Sequence, residues 1–175
     1  MTHRATPGQT VGPFFGYALP YPGDNHLVPP GSPGAVRLHG AVRDGEGNPV
    51  PDALIEIWQP GPDGAVVRSA GSLRRDGFTF TGWGRASTDA AGHYSLSTLR
   101  PGGEVPFFAV TVFARGLLDR LFTRAYLPGA DLGAFPADRR DTLRAREEST
   151  GYRFDIRLQG EGETVFLRFP GHRAD

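Results

Sequence analysis

From Ala35 onward, apolar and polar positions alternate in short runs separated by glycine, proline, asparagine and aspartate. Val36, Leu38 and Val42 alternate with Arg37, His39 and Arg43, the period-two pattern of a strand with one buried face. Leu54, Ile55, Ile57 and Trp58 predict a second strand, set between the turn-rich runs Asp44–Pro49 and Pro60–Gly64. Further strands are expected over Phe78–Trp83, Arg85–Thr88 and Tyr94–Leu99. Phe107–Ala114 is a continuous apolar run rich in aromatic and β-branched residues, which predicts a central strand buried on both faces. Leu121–Leu127 is a weaker candidate. Tyr152–Leu158 alternates apolar with charged residues, and Thr164–Phe169 is expected to close the fold. Pro136–Glu148 is the one segment that reads as a helix, opening with proline and carrying a thin apolar stripe. About eight strands with turns roughly every 8–12 residues predict an all-β chain, a β-sandwich with one short surface helix.

Residues 1–34 break this pattern. Thirteen of them are glycine or proline, and neither alternation nor helical spacing is visible. Val11, Phe14, Phe15, Tyr17, Leu19 and Tyr21 are nevertheless too apolar for a solvated tail. The expected division is an extended arm over 1–34, lying on a surface, whether this chain's or a partner's, and a sandwich domain over 35–175.

Composition narrows the chemistry. The chain has 175 residues, enough for one well-buried core, with 25 glycines and 16 prolines, which rules out a mostly helical fold. There is no cysteine, so disulfides, thiolate nucleophiles and thiolate metal sites are excluded. All 19 basic residues are arginine, which excludes Schiff-base lysines and the phosphate-loop lysine. Nineteen acidic residues bring the net charge to zero, which argues against nucleic-acid or membrane partners. Met1–Thr10 lacks the apolar core of a signal peptide, and no run approaches a membrane span, so the expected location is cytoplasmic.

No serine stands in a nucleophile elbow, and Gly160-Glu161-Gly162 reads as a turn between strands. His3, His26, His39, His93 and His172 form none of the spacings that gather a metal, and read as surface histidines. Glu147-Glu148 and Glu161/Glu163 read as solvated charge, and the mixed-sign runs Asp138–Asp141 and Arg144–Glu147 as ion-paired surface. Two features remain. Thr10–Phe15 is a stiff apolar segment whose glycine permits close backbone approach by another molecule. Phe113-Ala114-Arg115-Gly116 ends an apolar strand in an arginine, which can fork onto a carboxylate; its simpler reading is an exposed strand terminus.

These segments also carry a family resemblance. Thr6–Phe15, Gly40-x-Val42-x-Asp44-x-x-Gly47-x-Pro49-Val50, Ile55-Glu56-Ile57-Trp58-Gln59 and Gly84-Arg85-x-x-Thr88-Asp89-x-x-Gly92-x-Tyr94 resemble intradiol ring-cleaving dioxygenases. Val112–Leu118, Thr123-Arg124-x-Tyr126 and Tyr152–Phe166 are similar to the alpha chains of the two-chain members of that family. The resemblance implies a β-sandwich and a role in aromatic catabolism through the beta-ketoadipate pathway. It also implies cleavage of a dihydroxybenzoate by O2 between its hydroxylated carbons. Catalytic chains of the family hold Fe(III) with two tyrosines and two histidines, hard phenolate oxygen suiting ferric iron. Here the His-x-His positions correspond to Phe107 and Ala109, and Gly103-Glu104 follow Pro101-Gly102 where a ligand tyrosine is expected. Tyr126 alone falls on a ligand position, a vestigial one, for which a satisfied core tyrosine is the simpler reading. The implied picture is a chain with no catalytic residues or metal of its own, Fe(III) being bound by the beta chain. Its arm would cross to that beta chain, with Thr10, Gly12, Pro13 and Arg115 walling the substrate pocket at the alpha–beta interface. Arg115 would face the carboxylate of the small aromatic substrate, and further alpha–beta protomers would complete the assembly. A transthyretin-like or carboxypeptidase-regulatory-like binding module shares the Gly40–Ile57 pattern, but the arm and the C-terminal run weigh against it.

Overall fold

A computed structural model describes residues 10, 12, 14–68 and 75–170. Nine strands form two packed sheets: β1 (Ala35–Arg43), β2 (Leu54–Trp58), β3 (Trp83–Ser87), β4 (His93–Leu99), β5 (Phe107–Phe113), β6 (Leu121–Tyr126), β7 (Arg146–Glu148), β8 (Gly151–Arg153) and β9 (Ile156–Arg157). One sheet runs β4-β1-β8-β7, with β9 also on β1; the other runs β3-β2-β5-β6. Pairing is antiparallel except where β8 and β9 lie parallel to β1. The core fills the space between the sheets, with Leu38, Val42, Ile55, Ile57, Leu96, Phe108, Val112, Phe154 and Ile156 almost fully buried. Every second residue of β1, β4 and β5 points there, and in β1 and β4 the alternation in the sequence reports this directly. Among the described residues no helix is long and apolar enough to cross a membrane.

The C-terminal strands hang on Gly40. A side-chain carbon on Gly40 would lie 1.9 Å from the carbonyl oxygen of Phe154, so only a glycine lets that segment close against β1. Tyr94, paired with Gly40 across β1 and β4, donates its hydroxyl to the same carbonyl at 2.6 Å. Burial, aided by the charge of Asp155, pushes the Tyr94 phenol far up in pKa, so it remains a donor.

Four expectations need correction. Pro136–Glu148 is not a helix: a single 3-10 turn spans Arg140–Leu143 and β7 begins at Arg146. Its buried anchors, Leu143 and Ala145, are two residues apart, and the Ala145 N–H goes to the Tyr126 carbonyl at 2.8 Å, a strand-like use of the backbone. The α-helix is instead one turn in the arm, α1 (Phe15–Ala18). Phe78–Trp83 is not a strand, because the Asp76 carboxylate takes the N–H groups of Phe78 and Thr79 and the Thr79 hydroxyl. These bonds pull the Asp76 carboxyl down to a pKa of about 2. Phe107–Ala114 is central within its sheet, but only Phe108, Val110, Val112 and Ala114 are buried; Phe107, Ala109, Thr111 and Phe113 lie half-buried on the outer face. Thr164–Phe169 runs beside β6 without forming a strand, held by Leu167 N–H to Phe122 O (2.7 Å) and Thr123 Oγ1 to Val165 O (2.8 Å).

The described part of the arm lies on the chain's own sandwich. Leu27 N–H donates to Ser97 O at 2.8 Å, Ser97 N–H to Asn25 O, and Arg85 N–H to Asp24 O, both at 2.9 Å. Phe15, Leu27 and Val28 are buried.

Gly40→Ala is expected to cost at least ~2 kcal/mol, since backbone must move to admit the new carbon. Tyr94→Phe should cost ~1–3 kcal/mol by leaving the Phe154 carbonyl unpaired. Urea unfolding followed by tryptophan fluorescence checks both; a neutral Gly40→Ala would contradict the packing described.

Candidate functional site

Among the described residues no three histidine, aspartate or glutamate side chains gather as a metal site. His39 Nε2 lies 2.9 Å from Glu148, tying β1 to β7, and His93 sits 3.8 Å from Asp89 beside a turn. His26 forms an isolated bridge with Ser97. His3 and His172 lie outside the described residues.

The positions where the resemblance expects iron ligands fall on the outer face of the β3-β2-β5-β6 sheet. The register pairs Phe107 with Tyr126 and Ala109 with Arg124. The Arg124 guanidinium lies 4.4 Å from the centre of the Phe107 ring and donates from Nη1 to the Tyr126 hydroxyl at 3.2 Å. Tyr126 is itself buried between the rings of Phe107 (5.4 Å) and Phe135 (6.1 Å), with Leu132 and Leu143 alongside. Gly103 sits in a glycine turn at φ 101° and Glu104 is exposed. A lone phenol that already accepts from a cation, beside a phenylalanine and an alanine, does not fit ferric iron. Tyr126 is a packed tyrosine with a satisfied hydroxyl. Sequence reading missed Arg124, which becomes visible only once Ala109 is known to lie opposite it.

The second locus is where β5 ends. Leu54 pairs with Phe113 in the β2–β5 ladder, and two more residues along each strand bring Asp52 opposite Arg115. Arg115 Nε lies 3.4 Å from Asp52 Oδ2. The Arg115 side chain is 61% exposed and that of Asp52 only 19%. Asp52 Oδ1 is buried with no hydrogen-bond partner among the described residues. The arm arrives at the same place: Gly116 N–H donates to Thr10 Oγ1 at 3.2 Å, and Gly16 of α1 faces Asp52. Gly12 takes the left-handed conformation at φ 72°, with open space beyond its Cα. Thr10 is therefore tied to the residue that follows Arg115, whereas no contact brings Gly12 to Arg115, and Pro13 lies outside the described residues. Phe14 (77% exposed), Tyr17 (83%) and Leu118 (67%) occupy the same two segments, giving apolar surface beside a cation. Asp52, like Arg124, needed the strand register to be seen.

A groove of about 720 Å³ lies elsewhere, between arm residues Pro20–Asn25 and the β3–β4 turn, and contains none of these residues. At its floor Asp24 accepts from the Tyr21 N–H at 3.2 Å, and burial raises its carboxyl pKa despite nearby Arg85 and Arg75.

The sequence profile described as "Dioxygenase" matches residues 11–128. The protocatechuate 3,4-dioxygenase alpha chain of Burkholderia cepacia is 38% identical over 95% of this chain and 98% of its own length. The beta chain of the same enzyme from that organism is 33% identical over 76% of this chain and 68% of its own. Among solved structures, the dioxygenase domain of a dioxygenase–carbohydrate-binding fusion from Streptomyces sp. SirexAA-E superposes with a TM-score of 0.58 at 26% identity, covering 90% of this chain and 99% of that one.

Because Arg124 is the one donor among the described residues that reaches the Tyr126 hydroxyl, Tyr126→Phe is expected to cost no more than about 1 kcal/mol. Tyr126→Ala should cost about 3–5 kcal/mol by opening a cavity among Phe107, Leu132, Phe135 and Leu143. Urea denaturation separates the two; a costly Tyr126→Phe would show that the hydroxyl holds more than Arg124.

Proposed function

The chain belongs to the intradiol ring-cleavage dioxygenase family, and on that premise we propose that it is the alpha subunit of a protocatechuate 3,4-dioxygenase. With a beta chain it cleaves 3,4-dihydroxybenzoate between its hydroxylated carbons, both atoms of O2 entering the product 3-carboxy-cis,cis-muconate. The observation that carries this reading is the similarity to an alpha chain along nearly the whole of both proteins. The catalytic Fe(III) belongs to the beta chain. In support, the outer face of the β3-β2-β5-β6 sheet offers a guanidinium, a phenylalanine and one engaged tyrosine in place of a ligand set. The alpha–beta pair is the working unit, located in the cytoplasm and repeated in a larger assembly.

This chain's part is to bind and orient. Arg115 stands exposed beside apolar surface, where a guanidinium can take a carboxylate through two parallel N–H bonds. Thr10 bonds to the neighbouring Gly116, and with Gly12 and Pro13 it walls the substrate pocket from the alpha side. Phe14, Tyr17 and Leu118 supply apolar contact with the beta chain and exclude water around the substrate's charged end. Attraction between Arg115 and the carboxylate fixes which way round the ring enters the pocket.

The test is to purify this chain alone and together with a beta chain, then measure iron, visible tyrosinate-to-iron absorption and oxygen uptake with 3,4-dihydroxybenzoate. The chain alone is expected to be colourless and inactive, and the pair coloured and active. Iron and turnover in the isolated chain would overturn the division of labour, and failure to associate with any beta chain would overturn the subunit assignment. Arg115→Ala in the complex is expected to raise the KM for 3,4-dihydroxybenzoate by about tenfold or more, the loss of a hydrogen-bonded charge pair.

A further inference from the structure

The Arg115 side chain is long and mostly exposed, and such a side chain on its own samples many rotamers at an entropic cost of up to about 2 kcal/mol on binding. Its only ion-pair partner among the described residues is Asp52. Asp52 is not on a mobile segment. Val50 N–H donates to Val42 O at 3.0 Å, Ala53 N–H to Thr88 Oγ1 at 2.9 Å, and Thr88 N–H to Ala53 O at 2.9 Å, so the backbone is pinned on both sides. Pro51 fixes the residue before it. One Asp52 oxygen is buried without a partner and the other faces the Arg115 Nε, so the carboxylate depends on that guanidinium for compensation.

A guanidinium presents two useful donor edges: a side edge containing Nε, and an end formed by Nη1 and Nη2. Asp52 Oδ2 lies against the first, 3.4 Å from Nε, as an ion-pair contact rather than a hydrogen bond. No hydrogen bond or ion pair ties Nη1 or Nη2 to another described residue.

We infer that Asp52 is a positioning residue for Arg115, taking its Nε edge so that the Nη1–Nη2 end is presented to the carboxylate of an aromatic acid substrate. The inference rests on the proposed role of Arg115 in the pocket wall and adds to it the group that sets the arginine's orientation. Thr10 belongs to the same arrangement, because its bond to Gly116 N–H fixes the loop that carries Arg115. Asp52 touches neither substrate nor iron. Its contribution is to have the arginine ordered before the substrate arrives.

The test uses the assembled alpha–beta enzyme and two substrates, 3,4-dihydroxybenzoate and catechol, which is the same ring without the carboxylate. Asp52→Asn is expected to raise the KM for 3,4-dihydroxybenzoate about tenfold, with kcat and the KM for catechol each changing less than about twofold. Arg115→Ala should show the same selectivity, and the double variant should be no worse than Arg115→Ala alone, as expected for groups acting in series. A substrate-independent loss, or an additive double variant, overturns the inference. So does an Asp52→Asn enzyme with unchanged KM where Arg115→Ala raises it, an outcome that leaves the pocket-wall reading standing. An Arg115→Ala enzyme with unchanged KM for both substrates removes that reading and the inference together. Should Asp52→Asn fail to assemble, Asp52→Ala serves instead: it removes the carboxylate beside Nε without burying an unpaired amide and leaves the Nη1–Nη2 end of Arg115 intact, so a KM rise of at least about fivefold for the acid alone supports the inference and no rise overturns it.

Discussion

The antiparallel register of β2 against β5 is the constraint on which the rest of the molecule depends. With Leu54 opposite Phe113 and Trp58 opposite Ala109, Ile55 and Ile57 meet Val112 and Val110 inside the sandwich. The same register sends Trp58 and Ala109 outward, and through β6 it sets Arg124 beside Ala109. Carried two residues past the last pair, it brings Asp52 to Arg115. A slip of one residue would turn either Ile55 and Ile57 or Val110 and Val112 out of the core, so burial of those four side chains keeps Asp52 beside Arg115.

That coupling explains why the fold was more legible than the site. Alternation marks β1 and β4 because each has one face in the core, whereas β5 is apolar on both faces and hides which one is buried. The chain's glycine and proline runs mark the turns between them. Local chemistry misled where it competed with pairing. Leu143 and Ala145 looked like part of a helix stripe, yet tertiary contacts with β6 claimed the Ala145 N–H. Phe78 and Thr79 looked like strand residues, but Asp76 took their N–H groups before a ladder could form. Arg115 stood out as a charge ending an apolar run. Asp52 and Arg124 did not, because each acquires its meaning from a residue more than ten positions away that only the register supplies.

The exclusive use of arginine gains a physical sense in this setting. Arg75 and Arg85 both lie over the Trp83 ring, at 5.6 and 5.2 Å, Arg120 lies over Phe122 at 4.9 Å, and Arg124 over Phe107 at 4.4 Å. A planar guanidinium stacks on rings and still donates in its own plane, which an ammonium cannot do. Arg85 also forks onto Glu56 and reaches the Leu19 carbonyl of the arm. The outer sheet face is thus lined with aromatic rings and delocalised cations, a surface suited to covering by another protein and to recognising a planar anion, and unsuited to a ferric ion.

The most direct measurement is the structure of the alpha–beta enzyme with 3,4-dihydroxybenzoate bound in the absence of oxygen. Arg115 Nη1 and Nη2 within hydrogen-bond distance of the substrate carboxylate, with Nε still on Asp52 and iron held by beta-chain residues, is the expected result. A substrate carboxylate held entirely by beta-chain groups, with Arg115 turned away from the pocket, would contradict it.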